Sequence, residues 1–192
     1  MYNIFDVKNE SCLEQEVDAI VNAANGYMMH GGGIARAILL KAGEELNKAC
    51  QEYTLPISDG EVIVTPSFNI KNTKIIIHAV GPDFRESPEG IDKLYNAYYN
   101  SLIALKNNNY HSIAFPLISA GIFSGNLSNP VKVSTIQCKK AYNNFIDNYP
   151  DYHIKVLLCC YTKEEYNIAN QTIIDEFPLE ELINGDEELE GY

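Results

Sequence analysis

Short apolar runs alternate along the chain with longer amphipathic stretches, the rhythm of a layered α/β fold. Runs at residues 2–7, 19–23, 61–65, 74–80, 112–117 and 154–160 read as strands. The last three are nearly continuous in Ile, Val, Leu, Ala and Cys, as in strands covered on both faces, which places them centrally in a sheet. Ile91, Leu94, Tyr95, Tyr98, Leu102 and Leu105 recur at three- and four-residue spacing and predict a helix over residues 90–107, stopped by Asn107-Asn108-Asn109. Asn129 as a cap and Pro130 in the first turn open another helix that reaches about residue 148. A further helix follows Thr162, with Lys163-Glu164-Glu165 in its first turns, and residues 34–53 predict one or two helices broken near Gly43.

Charge divides the chain unevenly. The 192 residues carry 26 acids and 14 bases, a net of −12, which argues against a nucleic-acid partner held by Lys and Arg. Eight of the acids, from Asp175 to Glu190, fall in a stretch with no Lys or Arg. Residues 1–174 keep 18 acids against 14 bases, a net of −4, and read as one domain with a real core; residues 175–192 read as a solvated acidic tail. No apolar run approaches the roughly 20 residues needed to cross a bilayer, and no basic region followed by an apolar stretch opens the chain. A soluble, cytoplasmic monomer without membrane contact is expected. The cysteines at positions 12, 50, 138, 159 and 160 form no CxxC pair and have no His at metal-ligand spacing, so neither metal nor cofactor is implied.

The candidate chemistry sits in two loops. A buried strand ends in Val21-Asn22-Ala23-Ala24-Asn25 and leads through Gly26 to His30 into Gly31-Gly32-Gly33-Ile34-Ala35, the start of a helix. Three glycines let a ligand approach the backbone, and free N–H groups at a helix start favour a phosphate, although a plain flexible turn has the same composition. Neither GxGxxG nor a GK[ST] ending can be written through it, which removes the common dinucleotide and ATPase loops. The second loop, Ile118-Ser119-Ala120-Gly121-Ile122-Phe123, follows another central strand at the end where open α/β sheets bind ligands.

Together, Val21-Asn22-Ala23-Ala24-Asn25, His30-Gly31-Gly32-Gly33-Ile34-Ala35, His78-Ala79-Val80-Gly81-Pro82 and Pro116-Leu117-Ile118-Ser119-Ala120-Gly121-Ile122-Phe123 resemble the macrodomain family, over roughly residues 2–174. The motif versions look most like the branch with archaeal and coronavirus macrodomains. The resemblance implies a three-layer α/β/α sandwich around a mixed, mostly parallel sheet of about six strands. It also implies a cleft that binds ADP-ribose, with ADP-ribosylated proteins as partners and hydrolysis of mono-ADP-ribose from modified Asp and Glu side chains.

Residue by residue, the resemblance gives Asp6 the adenine amino group with Val7 beside it, and Tyr161 the adenine face. Asn25 contacts the distal ribose and supports turnover, while Asn22 shapes the turn. Gly31, Gly32 and Gly33 surround the distal ribose and its phosphate. Ser119, Ala120, Gly121, Ile122 and Phe123 offer amides to the diphosphate; Phe123 also walls the ribose, and Ile34 lines the floor. Asn25, Gly32 and Phe123 form the catalytic set. His30 is expected to hydrogen-bond and fix the loop.

One departure stands out. Several hydrolytic macrodomains carry an aspartate two residues after the last glycine, where this chain has Ala35. The coronavirus-like branch also lacks it and still hydrolyses. A reader of ADP-ribose without turnover, and a hydrolase of O-acetyl-ADP-ribose or ADP-ribose 1″-phosphate, therefore stand beside the first reading.

Overall fold

The computed structural model describes residues 2–179. Its elements run β1 (Ile4–Lys8), β2 (Ala19–Ala24), α1 (Gly33–Ala42), α2 (Glu45–Gln51), β3 (Val62–Pro66), β4 (Ile75–Val80), α3 (Ile91–Asn107), β5 (Ser112–Pro116), α4 (Pro130–Asn148), β6 (Lys155–Cys159) and α5 (Lys163–Glu176), with 3₁₀ turns at Cys12–Glu14 and Ile122–Ser124. Among the described residues the sheet order is β1-β6-β5-β2-β4-β3, with β3 antiparallel to β4 and every other pair parallel. The expected central strands are central, and β2 joins them between β5 and β4.

Alternation along the strands builds the two sides of the sandwich. Ala19, Val21, Ile77, Ile113, Phe115, Val156 and Leu158 face one way and meet Leu94, Tyr98, Leu102 and Leu105 of α3 and Cys138, Tyr142 and Phe145 of α4. Ile20, Ala24, Ile76, Val80, Ala114 and Leu157 face the other way, against Ile38 and Ala42 of α1 and Leu46 and Cys50 of α2. Covering both faces is why the inner strands read as unbroken apolar runs; each fully buried aliphatic chain contributes about 1.5–3 kcal/mol.

The helix breaks follow local chemistry. Gly43, at φ 98°, ends α1 with its N–H on the Leu39 carbonyl, and Asn109 at φ 59° follows α3. Pro130 takes the first turn of α4 as expected, whereas Asn129 makes no side-chain cap bond. Thr162 and Glu165 close a reciprocal capping box on α5. Asp175 and Glu176 stand on α5; the acids from Glu180 onward lie outside the described residues. No helix among the described residues is long and apolar enough to cross a membrane.

Candidate functional site

The seam between β2 and β5 creates the site. Other neighbouring strands pair over five or six positions, but β2 and β5 pair only at Ala19 with Ile113 and Ile20 with Ala114. Beyond that point the strands part. The chain leaves β2 through α1 toward β3 and β4, and leaves β5 through α4 toward β6, so the parting coincides with the topological switch point where open α/β sheets take ligands. A cavity of about 590 Å³ opens there.

Its floor is Ala23 of β2, Pro116 at the end of β5 with Leu117 after it, and Cys159 of β6. Gly33, Ile34 and Ala37 of α1 line one side, and Ala120 and Gly121 line the opposite loop. At the remaining end stand Glu10, Ser11, Cys12, Tyr161 and Glu165. Ideal Cβ atoms placed on Gly31, Gly32, Gly33 or Gly121 would meet nothing within 4 Å, so open space lies directly over these backbones. Gly32 stands at the cap of α1 with no side-chain cap bond, and Gly33, the first helical residue, sits at φ 54°. The first-turn amides are left for a ligand, and they carry the positive end of the helix dipole. No Lys or Arg lines the cavity; Arg36 points to solvent and Lys41 donates to the Leu13 carbonyl at 3.0 Å.

Several expected side chains are elsewhere. Asp6 lies in the middle of β1, exposed, 3.6 Å from Lys8, and Val7 packs on Cys160 and Ala169 beneath α5. Neither is among the residues lining the cavity; the acids at that end are Glu165, tied into the α5 capping box, and Glu10, whose Oε2 accepts from Gln15 at 2.8 Å. Asn22 does not shape the turn: it faces α1 and α2, fully buried, with Nδ2 3.0 Å from His78 Nδ1. The Asn25 carboxamide folds its own loop, its Oδ1 accepting from the amides of Tyr27 and Met29 at 3.1 Å each and its Nδ2 donating to the Met29 carbonyl at 2.8 Å.

On the second loop, Ser119 at φ 57° donates to the Pro82 carbonyl at 2.8 Å and braces the loop from behind. Ile122 is 79% exposed and is not among the residues lining the cavity. Phe123 lies under Arg85, 5.7 Å from ring centroid to guanidinium, and is not on the cavity wall. Of the expected residues, Gly33, Ile34, Ala120, Gly121 and Tyr161 line the cavity, while Gly31 and Gly32 precede it in the chain with open space over their backbones.

His30 is buried beside its loop, with the Asn47 side chain and Met28 backbone close to its ring. Among the described residues neither ring nitrogen has a partner at hydrogen-bond distance, and the ring meets His78 edge-on at 5.8 Å. Burial holds His30 below its ordinary pKa despite the nearby Asn47 side chain, Met28 backbone and Glu44 charge. Burial, with repulsion from His30 added, takes His78 down to about 3. Both rings are therefore neutral near pH 7 and unsuited to acid catalysis. Cys12, at the cavity, is pushed up to about 12 by burial, and Cys159 is also raised, so neither offers a thiolate nucleophile. Cys50 joins the two histidines in a buried group that no sequence spacing revealed.

Glu10, Ser11, Ala37 and Glu165 were missed from sequence. Ser11 and Glu165 carry a legible signal, since each belongs to a helix-start capping pattern that fixes a loop at a strand end.

Comparison with known proteins fits this geometry. The Macro domain family matches residues 21–133. A protein of Saccharolobus solfataricus is 42% identical over 81% of this chain and 84% of its own length. The O-acetyl-ADP-ribose deacetylase of Escherichia fergusonii is 34% identical over 82% and 88% respectively. A macrodomain of Oceanobacillus iheyensis solved with ADP superposes with a TM-score of 0.81 at 30% identity, covering 89% of this chain and 90% of that one; a glycine-to-valine variant of it was solved with ADPR. With its motifs, its six-stranded sandwich and the crevice at the β2–β5 seam all in place, this chain belongs to the macrodomain family.

Proposed function

We propose that the chain binds ADP-ribose in the crevice between β2 and β5 and hydrolyses mono-ADP-ribose from esterified Asp and Glu side chains of proteins, acting as a cytoplasmic monomer. The observation that carries the reading is a cavity flanked by open glycine backbones and an uncapped helix start, with no cation on its walls. A diphosphate is met there by amides and a helix dipole, which suits an acidic protein.

In this reading the adenine stacks on Tyr161, and its amino group donates to Glu10, a carboxylate at the same end of the cavity, rather than to Asp6 of β1. Amides of the loops around Gly33 and Gly121 hold the phosphates. The distal ribose reaches toward Asn25, whose Nδ2 keeps one N–H beyond its bond to Met29. Water attacks C1″, the C1″–O bond breaks with its electrons on the leaving carboxylate, and the water proton passes to solvent or a substrate phosphate. Ala35 is buried on the inward stripe of α1, so no side chain from that position acts as base. Orientation and fixed dipoles supply the rate instead.

Two observations support rival readings. The Escherichia fergusonii relative supports O-acetyl-ADP-ribose, an ester on the same ribose, as substrate. The bonds that tie the Asn25 carboxamide to its own loop support a reader that binds without turnover. Incubation with a protein carrying ester-linked mono-ADP-ribose, beside O-acetyl-ADP-ribose and ADP-ribose 1″-phosphate, distinguishes them. The proposal expects ADP-ribose release from the protein, at least tenfold slower in Asn25→Ala. Binding of ADP-ribose with no turnover of any of the three leaves the reader.

A further inference from the structure

On the α1/α2 side of the sheet, behind the glycine loop, three potential ligands converge that no motif connects. His30 ends the loop before Gly31, Cys50 lies in α2 and His78 in β4. One ligand atom from each lies within 4.8 Å of the others, and all three residues are buried. His78 Nε2 is 3.9 Å from Cys50 Sγ and 2.9 Å from Thr65 Oγ1, while Nδ1 is held 3.0 Å from the Asn22 carboxamide. His30 is only 9% exposed, yet among the described residues neither of its ring nitrogens has a partner at hydrogen-bond distance. A buried ring nitrogen with no hydrogen bond is an unpaid desolvation cost and calls for an explanation.

We propose that His30, Cys50 and His78 bind one divalent metal ion of the zinc class. Two imidazoles and a thiolate form the borderline-soft set that zinc prefers. Zinc–sulfur and zinc–nitrogen bonds of about 2.3 and 2.0–2.1 Å at tetrahedral angles separate N from S by roughly 3.6 Å. The observed 3.9 Å between His78 and Cys50 is a few tenths longer. The His30 ring, held by no hydrogen bond, closes the third side by rotating. Thr65 Oγ1 or water takes the fourth position.

Protons balance on the groups present. Coordination releases the Cys50 thiol proton to solvent and leaves the proton of His78 on Nδ1. That N–H donates to Asn22 Oδ1 once the amide is turned about, and Oδ1 has no partner now. Asn22 thereby orients the metal-binding ring from behind, the usual arrangement of an outer-shell group. The ion would tie the glycine loop to α2 and β4, a structural rather than a substrate-facing place.

Cobalt titration of the EDTA-stripped full chain tests this. One equivalent is expected to bind with tetrahedral visible bands and a thiolate-to-cobalt charge-transfer band in the near ultraviolet, all displaced by zinc, and zinc is expected to raise the melting temperature in a concentration-dependent way. Cys50→Ser should lose the charge-transfer band and weaken binding at least tenfold, whereas Cys12→Ser should retain both. No charge-transfer band in the wild type overturns the site, as does a band that survives in both Cys50→Ser and His30→Gln. If Cys50→Ser fails to fold by circular dichroism, the wild-type spectrum and His30→Gln decide.

Discussion

Tyr161 is 90% exposed while standing at the edge of the cavity, an orientation with little to gain in the free protein. Stacking on a base is worth about 1–3 kcal/mol, so Tyr161→Ala should weaken ADP-ribose by that amount in a calorimetric titration and leave stability nearly unchanged. Glu10 and Asp6 give a sharper contrast. Glu10→Ala should weaken ADP-ribose by about 1–2 kcal/mol through loss of one charge-assisted bond, and Asp6→Ala should leave it unaltered. Tyr161 was legible only through the family resemblance; Glu10, four residues beyond Asp6 and past the end of β1, carries no motif that marks it. The polar residues of the two motifs were legible as a set but not in their targets. Asn22 reaches His78 fifty-six positions away, Ser119 reaches Pro82, and Asn25 turns back on its own loop. Such partners are chosen by the packing of elements, which a motif does not encode.

Elements decide how the two loops are held apart. The Tyr98 hydroxyl on α3 accepts from the Ile118 N–H at 2.9 Å and donates to Ser134 Oγ at 2.6 Å, while Ser134 donates to the Ile118 carbonyl at 2.6 Å. This closed, buried network pins the root of the loop that carries Ala120 and Gly121. Tyr98→Phe orphans the Ile118 N–H and should cost about 1–3 kcal/mol in urea unfolding, with a weaker hold on ADP-ribose. At the closed end of the β2–β5 seam, the Asp18 carboxylate accepts from Lys74 Nζ at 2.8 Å and from the amides of His111 and Ser112 at 2.9 and 3.2 Å. Burial pushes the Asp18 carboxyl up, but Lys74 and the His111 amide outweigh it and hold it below its ordinary 3.8. A lowered folded pKa means that Asp18 contributes stability above pH 3.8 and loses it as pH falls through the lower folded value. Asp18→Asn should therefore cost about 1.5–3 kcal/mol at pH 7, a gap that closes below about pH 3.8 when both proteins are unfolded in urea across that range. The strands and long helices were legible because a two-faced sheet leaves an unbroken apolar signature. The parting of β2 from β5 was not, since pairing length depends on how neighbouring strands twist and not on either run alone.

For the molecule as a whole, the net charge of −12 falls to −4 once residues 175–192 are set apart, and the cavity itself bears two carboxylates and no cation. An acidic protein that captures a diphosphate must do so with backbone dipoles, which act over short range and, inside a cleft that covers the phosphates, are screened less by salt than exposed cations are. Titration of the full chain with ADP-ribose at about 50 and 500 mM salt tests this most directly. One site per chain, with an affinity that changes less than about threefold, is the predicted result. No saturable binding, or a loss of more than about tenfold at high salt, would contradict it.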